Sequence, residues 1–126
     1  MMQRDTLIRA LKFLREKLDK DMPIQQALVF LLIGDQPTIT QPELCALTGM
    51  PQGSVCRHLV ALGHYTRKPN AAERKDGKKE MVSDGMDLLT IHPDLTNRRR
   101  LAYSLNTKGQ SILRQLDLLL LGEKIE

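Results

Sequence analysis

The first twenty positions alternate between apolar and charged residues at helical spacing. Leu7, Leu11, Leu14 and Leu18 lie three or four positions apart, with basic and acidic residues between them. Such a period places the apolar side chains on one side of a helix and the charged ones on the other. The pattern predicts an amphipathic helix over residues 4–19.

A second apolar segment follows, and it has no charged face. Pro23 is typical of the start of a helix and Gly34 of its end. Within it, Ile24, Leu28 and Leu31 are predicted to form one face. A helix that is apolar nearly all round is usually buried. Residues 4–34 are therefore expected to form two N-terminal helices, the second being the buried spine of the domain.

Residues 39–63 have the pattern of two short helices joined by a tight turn. Thr40 and Glu43 match a capping box, in which each side chain bonds a backbone N–H of the other's residue. Gly49 can supply the turn, and Gly63 marks the expected end of the second helix. The predicted inner face of that helix is Val55, Leu59 and Leu62. The segment is expected to be a helix-turn-helix.

The next stretch, residues 64–85, shows little periodicity and carries six basic and four acidic residues. We interpret it as a solvated, charged insertion without regular structure. The better strand candidates are residues 86–91 and 99–105, joined by a turn at 92–98. These two segments should pair as an antiparallel hairpin within residues 86–105.

The last part of the chain, residues 106–121, is expected to be a helix capped by Asn106. Its predicted apolar stripe is Ile112, Leu113, Leu116, Leu119 and Leu120. Four consecutive leucines, 118–121, are apolar on every side of such a helix. One small domain can hardly bury all of them, so a homodimer joined by the N- and C-terminal helices is expected.

Composition is consistent with one domain that binds a polyanion. The 126 residues fit a single domain with its own core. Lys and Arg number 19 against 15 Asp and Glu, for a net charge of +4. The isoelectric point is about 9.3. A moderately basic balance suits double-stranded DNA without proving it.

Several classes of function are disfavoured. The longest apolar run, seven residues, is far short of a membrane span, and the start lacks a signal-peptide pattern, so a cytoplasmic location is expected. The two cysteines and three histidines have no ligand spacing, which predicts no metal and no cofactor. No nucleophile–base motif or phosphate-binding glycine loop is present, so an enzyme is not expected.

The second helix of the helix-turn-helix offers a set of outward residues that can read bases. Arg57 can donate twice to guanine and Gln52 can pair with adenine, while Ser54 can reach a base or a phosphate. Gly53 and Cys56 complete the outward set. The alternatives are that these are ordinary solvated surface residues, and that Cys56 is either a small packing residue or a redox-sensitive thiol.

The turn of the predicted hairpin carries three consecutive arginines. Arg98 or Arg99 is suited to a narrow minor groove, whose negative potential attracts inserted arginine, and Arg100 would contact phosphate. Asp94 is expected to shape the turn or to orient an arginine. The alternative is a charged hairpin surface with no ligand.

These motifs resemble a known family. The segment ITQPELCALTGMPQGSVCRHLVAL is similar to the helix-turn-helix of MarR-type winged-helix transcriptional regulators, and DLTNRRRLAYSLNTKG is similar to their wing and following helix. With PIQQALVFLLIGDQPT, which resembles their second helix, the likeness covers residues 23–63 and 86–116.

The resemblance implies a fold, a partner and a mechanism. The fold would be mainly α with a small β-hairpin wing, and the function that of a dimeric DNA-binding regulator on a pseudo-palindromic operator. It places Gln52, Ser54 and Arg57 on the recognition helix, and Asp94, Arg98 and Arg99 on the wing. It also implies a possible small-molecule effector.

The sequence thus predicts a winged helix-turn-helix that acts as a sequence-specific transcription regulator, more specifically a repressor. Two other functions stay open at this point. One is a winged helix that serves as a protein-interaction module, for instance on a polymerase or a replication assembly. The other is architectural DNA binding without sequence preference, with the basic residues of 64–85 supplying most of the affinity.

Overall fold

The computed structural model describes residues 3–77, 80–93 and 101–122, and the side chains within these ranges except those of 65–67 and 83. The predicted wing-tip residues Asp94, Arg98, Arg99 and Arg100 lie outside the described residues.

Two helices open the fold, α1 (Arg4–Lys17) and α2 (Ile24–Gly34). Both lie where the sequence predicts them, but the predicted faces are partly wrong. In α1 the buried residues are Ala10, Phe13 and Leu14, whereas Leu7 and Leu11 are exposed. Helix α1 packs against the C-terminal helix, and its buried side runs through Ala10, Phe13 and Leu14.

Helix α2 is the buried spine that the sequence predicts, through a different face. Val29, Phe30 and Ile33 have no exposed surface, while Ile24 is 77% exposed and Leu28 is 42% exposed. Helix α2 contacts three other helices and the sheet, so most of its circumference is covered by other elements. An all-round apolar sequence gives no period from which the core-facing side could be predicted.

The helix-turn-helix follows the predicted boundaries closely. Strand β1 (Ile39–Thr40) leads into α3 (Gln41–Thr48), whose capping box between Thr40 and Glu43 is present in both directions. Gly49 ends α3 in the left-handed conformation, with φ of 74°. Helix α4 (Gln52–Leu62) then begins after Pro51.

The segment 64–85 has regular structure that the sequence interpretation did not predict. Strand β2 (Tyr65–Arg67) pairs antiparallel with β3 (Val82–Asp84), and the short helix α5 (Ala71–Lys75) lies between them. Asn70 caps α5 by accepting from the N–H of Glu73, with the glutamate bonding back. Three-residue strands are too short to show a period of two against a charged background, so the sequence pattern does not reveal them.

The wing hairpin is formed by β4 (Leu89–Pro93) and β5 (Leu101–Leu105), which pair antiparallel with Leu89 opposite Leu105. Residues 86–88, predicted as strand, are not strand, because their N–H groups bond the carbonyls at the end of α4 instead. Strand β5 also pairs with β1, so the sheet has the order β1-β5-β4. The sequence did not predict this third strand.

Helix α6 (Thr107–Leu120) ends the described fold and packs against α1 and α2. As predicted, Asn106 caps it, accepting from the N–H of Gly109 at 2.9 Å. Ile112 and Leu116 are buried in the core, whereas Leu120 of the predicted stripe is exposed. Over the described ranges, none of the helices has the length and apolar character needed to cross a membrane.

Candidate nucleic-acid interface

Helix α4 divides cleanly into a buried and an exposed side. Val55 and Leu62 have no exposed surface and Leu59 is 5% exposed, as the inner-face prediction requires. Of the predicted base-reading residues, Gln52, Gly53 and Arg57 are exposed and Ser54 is half-buried. Gly53, Ser54 and Arg57 lie on the side of α4 opposite the buried stripe, whereas Gln52 is exposed as the first residue of the helix.

The start of α4 is held from outside the helix. Pro51 precedes it with extended backbone, and no side chain caps the first turn. The side-chain amide of Gln41, at the start of α3, donates to the carbonyl of Gln52 at 3.0 Å. This bond ties the exposed end of the second helix to the first, and because it uses the backbone of Gln52 it leaves that residue's exposed side chain for other contacts.

A second polar contact holds α4 from its middle, and the sequence analysis did not predict it. Oε1 of Gln26, on α2, lies 3.2 Å from Nδ1 of His58. Gln26 is only 6% exposed, in a helix that is otherwise apolar at its buried positions. Burial lowers the pKa of His58, and the neighbouring Arg57 guanidinium lowers it further. Gln25 and Gln26 are adjacent in α2, and no pattern in the sequence distinguishes the buried glutamine from the exposed one.

The side of the wing that faces α4 is apolar. Leu89, Ile91 and Pro93 share one face of the hairpin with their partners Leu105, Tyr103 and Leu101, since opposite residues of a pair point the same way. Ile91 is 56% exposed. Burial raises the pKa of Tyr103, and nearby Cys56 on α4 raises it as well, so this face lies beside the recognition helix.

The other face of the wing carries a polar pair. Nε2 of His92 lies 2.7 Å from Oγ of Ser104, across the two strands. Because the hydroxyl can donate or accept, the contact fits either tautomer of the ring. It links the strands midway between the core and the tip of the hairpin.

A cleft of about 320 Å³ opens on the side of the molecule between α2, β5 and α6. Both apolar and polar residues line the cleft. The lining residues are Ile33, Gly34, Gln36, Pro37, Ser104, Leu105, Gln110, Leu113, Arg114 and Asp117. Among the residues that the structure describes, no cluster of three or more His, Cys, Asp or Glu side chains could hold a metal ion.

Comparison with known proteins identifies the fold. No family model matches the chain, and no curated protein matches it in sequence. Solved structures do match. RV1404 from Mycobacterium tuberculosis is 18% identical with a TM-score of 0.64; the alignment covers 94% of this chain and 66% of RV1404, so the chain spans about two thirds of that protein's length.

Two further structures are similar to the chain. MepR of S. aureus, solved as a DNA complex, is 17% identical with a TM-score of 0.57, covering 92% of this chain and 79% of MepR. MarR from E. coli in its apo form is 20% identical with a TM-score of 0.53, covering 95% of this chain and 78% of MarR. The order of helices and strands described above, together with these similarities, shows that the chain has the winged-helix fold of the MarR-type regulators.

Proposed function

We propose that this chain is a DNA-binding transcription regulator that reads a specific sequence with α4. The observation that carries the proposal is the exposed Arg57 opposite the buried side of α4, with Gln52 exposed at the first position of the same helix and Ser54 half-buried between them. A helix presented in this way after a tight turn fits the major groove, with its N-terminal side chains at base edges.

The assigned contacts follow from the donors and acceptors of each side chain. Arg57 would donate twice to guanine O6 and N7, and Gln52 would pair with adenine N6 and N7. Ser54, which is half-buried, would reach a base or a phosphate. Two of the similar structures support DNA binding in general, since MepR was solved in complex with DNA and a mutant MarR from E. coli in complex with operator DNA.

The wing supplies a second contact in this proposal. Strands β4 and β5 run from the core toward the segment that contains Asp94, Arg98, Arg99 and Arg100. We assign Arg98 or Arg99 to the minor groove and Arg100 to phosphate, with Asp94 shaping the turn. These four residues lie outside the described part of the chain.

The regulator is proposed to act as a homodimer and as a repressor. Leu7, Ile8 and Leu11 on α1 are each more than two-fifths exposed, and Leu121 at the end of α6 is 79% exposed. Helices α1 and α6 pack together, so these side chains belong to neighbouring elements. Burying them against a second copy would place two recognition helices about one DNA turn apart, and the bound dimer would occlude a promoter.

Selection of genomic DNA fragments by the purified protein at physiological salt tests the proposal. We expect an enriched motif with inverted symmetry, for which Arg57→Ala loses about 1–3 kcal/mol of discrimination between matched and mismatched sites. Arg114→Ala, on α6, is the control and should keep the preference. Selection that returns no enriched motif would refute the proposal. A molar mass of one chain, measured by light scattering, would refute the proposed dimer.

A protein-interaction module is the second candidate, and the apolar face of the wing favours it. Ile91 and Leu101 are both about half exposed beside α4. A protein partner would bury these side chains, whereas a DNA backbone would not. If Ile91→Ser abolished a protein interaction but left DNA selection unchanged, the module hypothesis would be supported for this surface.

A small-molecule effector is also part of the proposal, and we assign it to the cleft between α2, β5 and α6. Among the similar structures, DNA binding of BpsR from Bordetella bronchiseptica is regulated by 6-hydroxynicotinic acid. The cleft has the volume of a small ligand site and offers Arg114 and Gln110 among apolar neighbours. Screening small aromatic acids by thermal shift tests this part separately, and Arg114→Ala should remove the shift that a bound acid causes in the wild-type protein.

A further inference from the structure

The recognition helix is held by two kinds of contact that differ in how well they define its rotation. Val55, Leu59 and Leu62 bury one side of α4 in the core. Apolar burial is non-directional, so it tolerates some rotation of the helix about its axis. A hydrogen bond depends on the positions of both partners, so it does not tolerate such a rotation.

The contact between Gln26 and His58 is such a directional restraint. Gln26 belongs to α2, the buried spine of the domain, and its side chain is nearly enclosed. Its Oε1 meets Nδ1 of His58 at 3.2 Å. Successive residues of a helix are about 100° apart around its axis, so holding His58 also defines the direction of Arg57, the residue before it.

A buried amide at this position has a cost that calls for an explanation. Enclosing a polar side chain is unfavourable unless its hydrogen bonds are made, and an apolar residue would fill the same space without that requirement. Within the described chain, Gln26 and Thr40 are the polar residues in the buried set, and Thr40 has a local task as the cap of α3. Gln26 does not cap its own helix, and its side-chain oxygen instead meets His58 on another element.

We propose that Gln26 is a specificity-determining positioning residue, which acts through His58 to set the rotation of α4 and hence the direction of Arg57. The proposal rests on the proposed DNA-reading function. Gln26 lies in the core and would touch no DNA itself. It would nevertheless contribute to the discrimination between DNA sequences. The proposal does not assign Gln26 a share of the total affinity, which comes mainly from phosphate contacts.

Charged groups lie near both members of the pair. Arg57 precedes His58 on α4. A second cleft is lined by Gln26 together with Asp19, from the segment between α1 and α2, and Asp84, on β3. The neutral imidazole that burial and Arg57 favour must carry its hydrogen on Nδ1 to donate to the Gln26 oxygen.

The test compares Gln26→Met with Gln25→Met, the same substitution at an exposed position of the same helix. The measured quantity is the ratio of dissociation constants for random DNA and for the fragment selected by the wild-type protein. We expect Gln26→Met to lower this ratio about tenfold, comparable to the loss of one base contact. Gln25→Met should keep the wild-type ratio, and the salt dependence on random DNA should be the same for all three proteins.

A conservative variant keeps the proposal testable if Gln26→Met does not fold. Gln26→Glu retains an acceptor for Nδ1 and should hold the ratio within about twofold of wild type. Its carboxylate should also raise the pKa of His58, followed by NMR of the imidazole resonances. A rise in the His58 pKa is not expected if residue 26 only fills space. The NMR measurement of this pKa requires no DNA.

The outcomes separate this proposal from the function on which it rests. A wild-type protein that selects no sequence overturns the proposed function and the specificity role with it. A selective wild-type protein whose ratio is unchanged by Gln26→Met overturns the positioning role alone. An unchanged His58 pKa in Gln26→Glu overturns the contact itself.

Discussion

Two hairpins follow α4 in the chain, and they are attached to the molecule in different ways. The wing, β4–β5, joins a three-stranded sheet through β1 and buries Leu89 and Leu105 in the core. The insertion hairpin, β2–β3, pairs with itself and is joined to α4 at its base, where Met86 and Asp87 donate to carbonyls of Ala61 and Gly63. Core side chains and pairing with β1 therefore hold the wing, and backbone bonds at the base join the insertion to the end of α4.

The largest expected effect tests the packing of the wing. Leu105→Ala removes a side chain that is 4% exposed, and it should lower the free energy of unfolding by about 2–5 kcal/mol. Leu101→Ala makes the same change on the same strand, at a position 48% exposed, and should cost less than about 1 kcal/mol. Urea denaturation measures both. Equal losses would mean that the core does not hold the wing through Leu105.

The next effect concerns the base of the insertion. Gly85 has φ of 102°, and an added Cβ would overlap the carbonyl oxygen of Gly63. Gly85→Ala should therefore cost about 2–4 kcal/mol, from left-handed strain plus overpacking. Gly77→Ala, at φ of 88° with open space around it, should cost only the strain, about 1 kcal/mol. Thermal unfolding compares the two, and a Gly77 effect as large as that of Gly85 would argue against the tight contact.

The third prediction compares the charges of the two hairpins on DNA. Arg99→Ala, in the wing, should weaken binding to all sequences and reduce the salt slope by about 1. Lys75→Ala, in the insertion helix α5, removes one positive charge as well and should leave the slope unchanged. Titrations of random DNA at several salt concentrations measure the salt slope of each variant. If Lys75→Ala had the larger effect, the insertion rather than the wing would be the main phosphate contact.

The smallest expected effect is the pH dependence of stability that His58 on α4 contributes. The folded-state pKa of His58 lies below its ordinary value, so in that range the unfolded chain binds more protons than the folded one. Stability should therefore be complete above about pH 6.5 and decrease as pH falls through the folded-state pKa. His58→Gln should flatten this part of the profile, whereas His64→Gln, at an exposed position beyond α4, should not. Identical profiles for both variants would contradict the burial of His58.

The contrast between the two hairpins also explains what could be predicted from sequence. The caps at Thr40 and Asn106 and the left-handed turn at Gly49 depend on residues within one turn of each other, so short motifs were sufficient. The wing strands alternate in an otherwise irregular stretch, and their predicted bounds differ from the observed ones by a few residues. The insertion strands were not predicted because their paired residues lie 15 to 19 positions apart and no local pattern records the pairing.

The candidate site was predictable in part for the same reason. The exposed position of Arg57 follows from the period of α4, since the buried side is given by Val55 and Leu62. Gln52 shares the phase of that buried side and is exposed because it begins the helix. The link between Gln26 and His58 joins residues 32 positions apart and could not be inferred from either segment alone. The wing-tip arginines remain a prediction from sequence.

The sequence by itself determined the helix boundaries, the caps and the order of the main elements, because these depend on local backbone preferences and short periods. In α1 and α2, only the tertiary structure decided which apolar side chains are buried. The exposed Leu7, Leu11 and Ile24 fit an apolar helical stripe as well as the buried Phe13 and Phe30 do. The helical period alone therefore cannot show which of two apolar sides faces the core. Packing chooses, because a close-packed interior admits only the side chains whose shapes fit against the neighbouring elements.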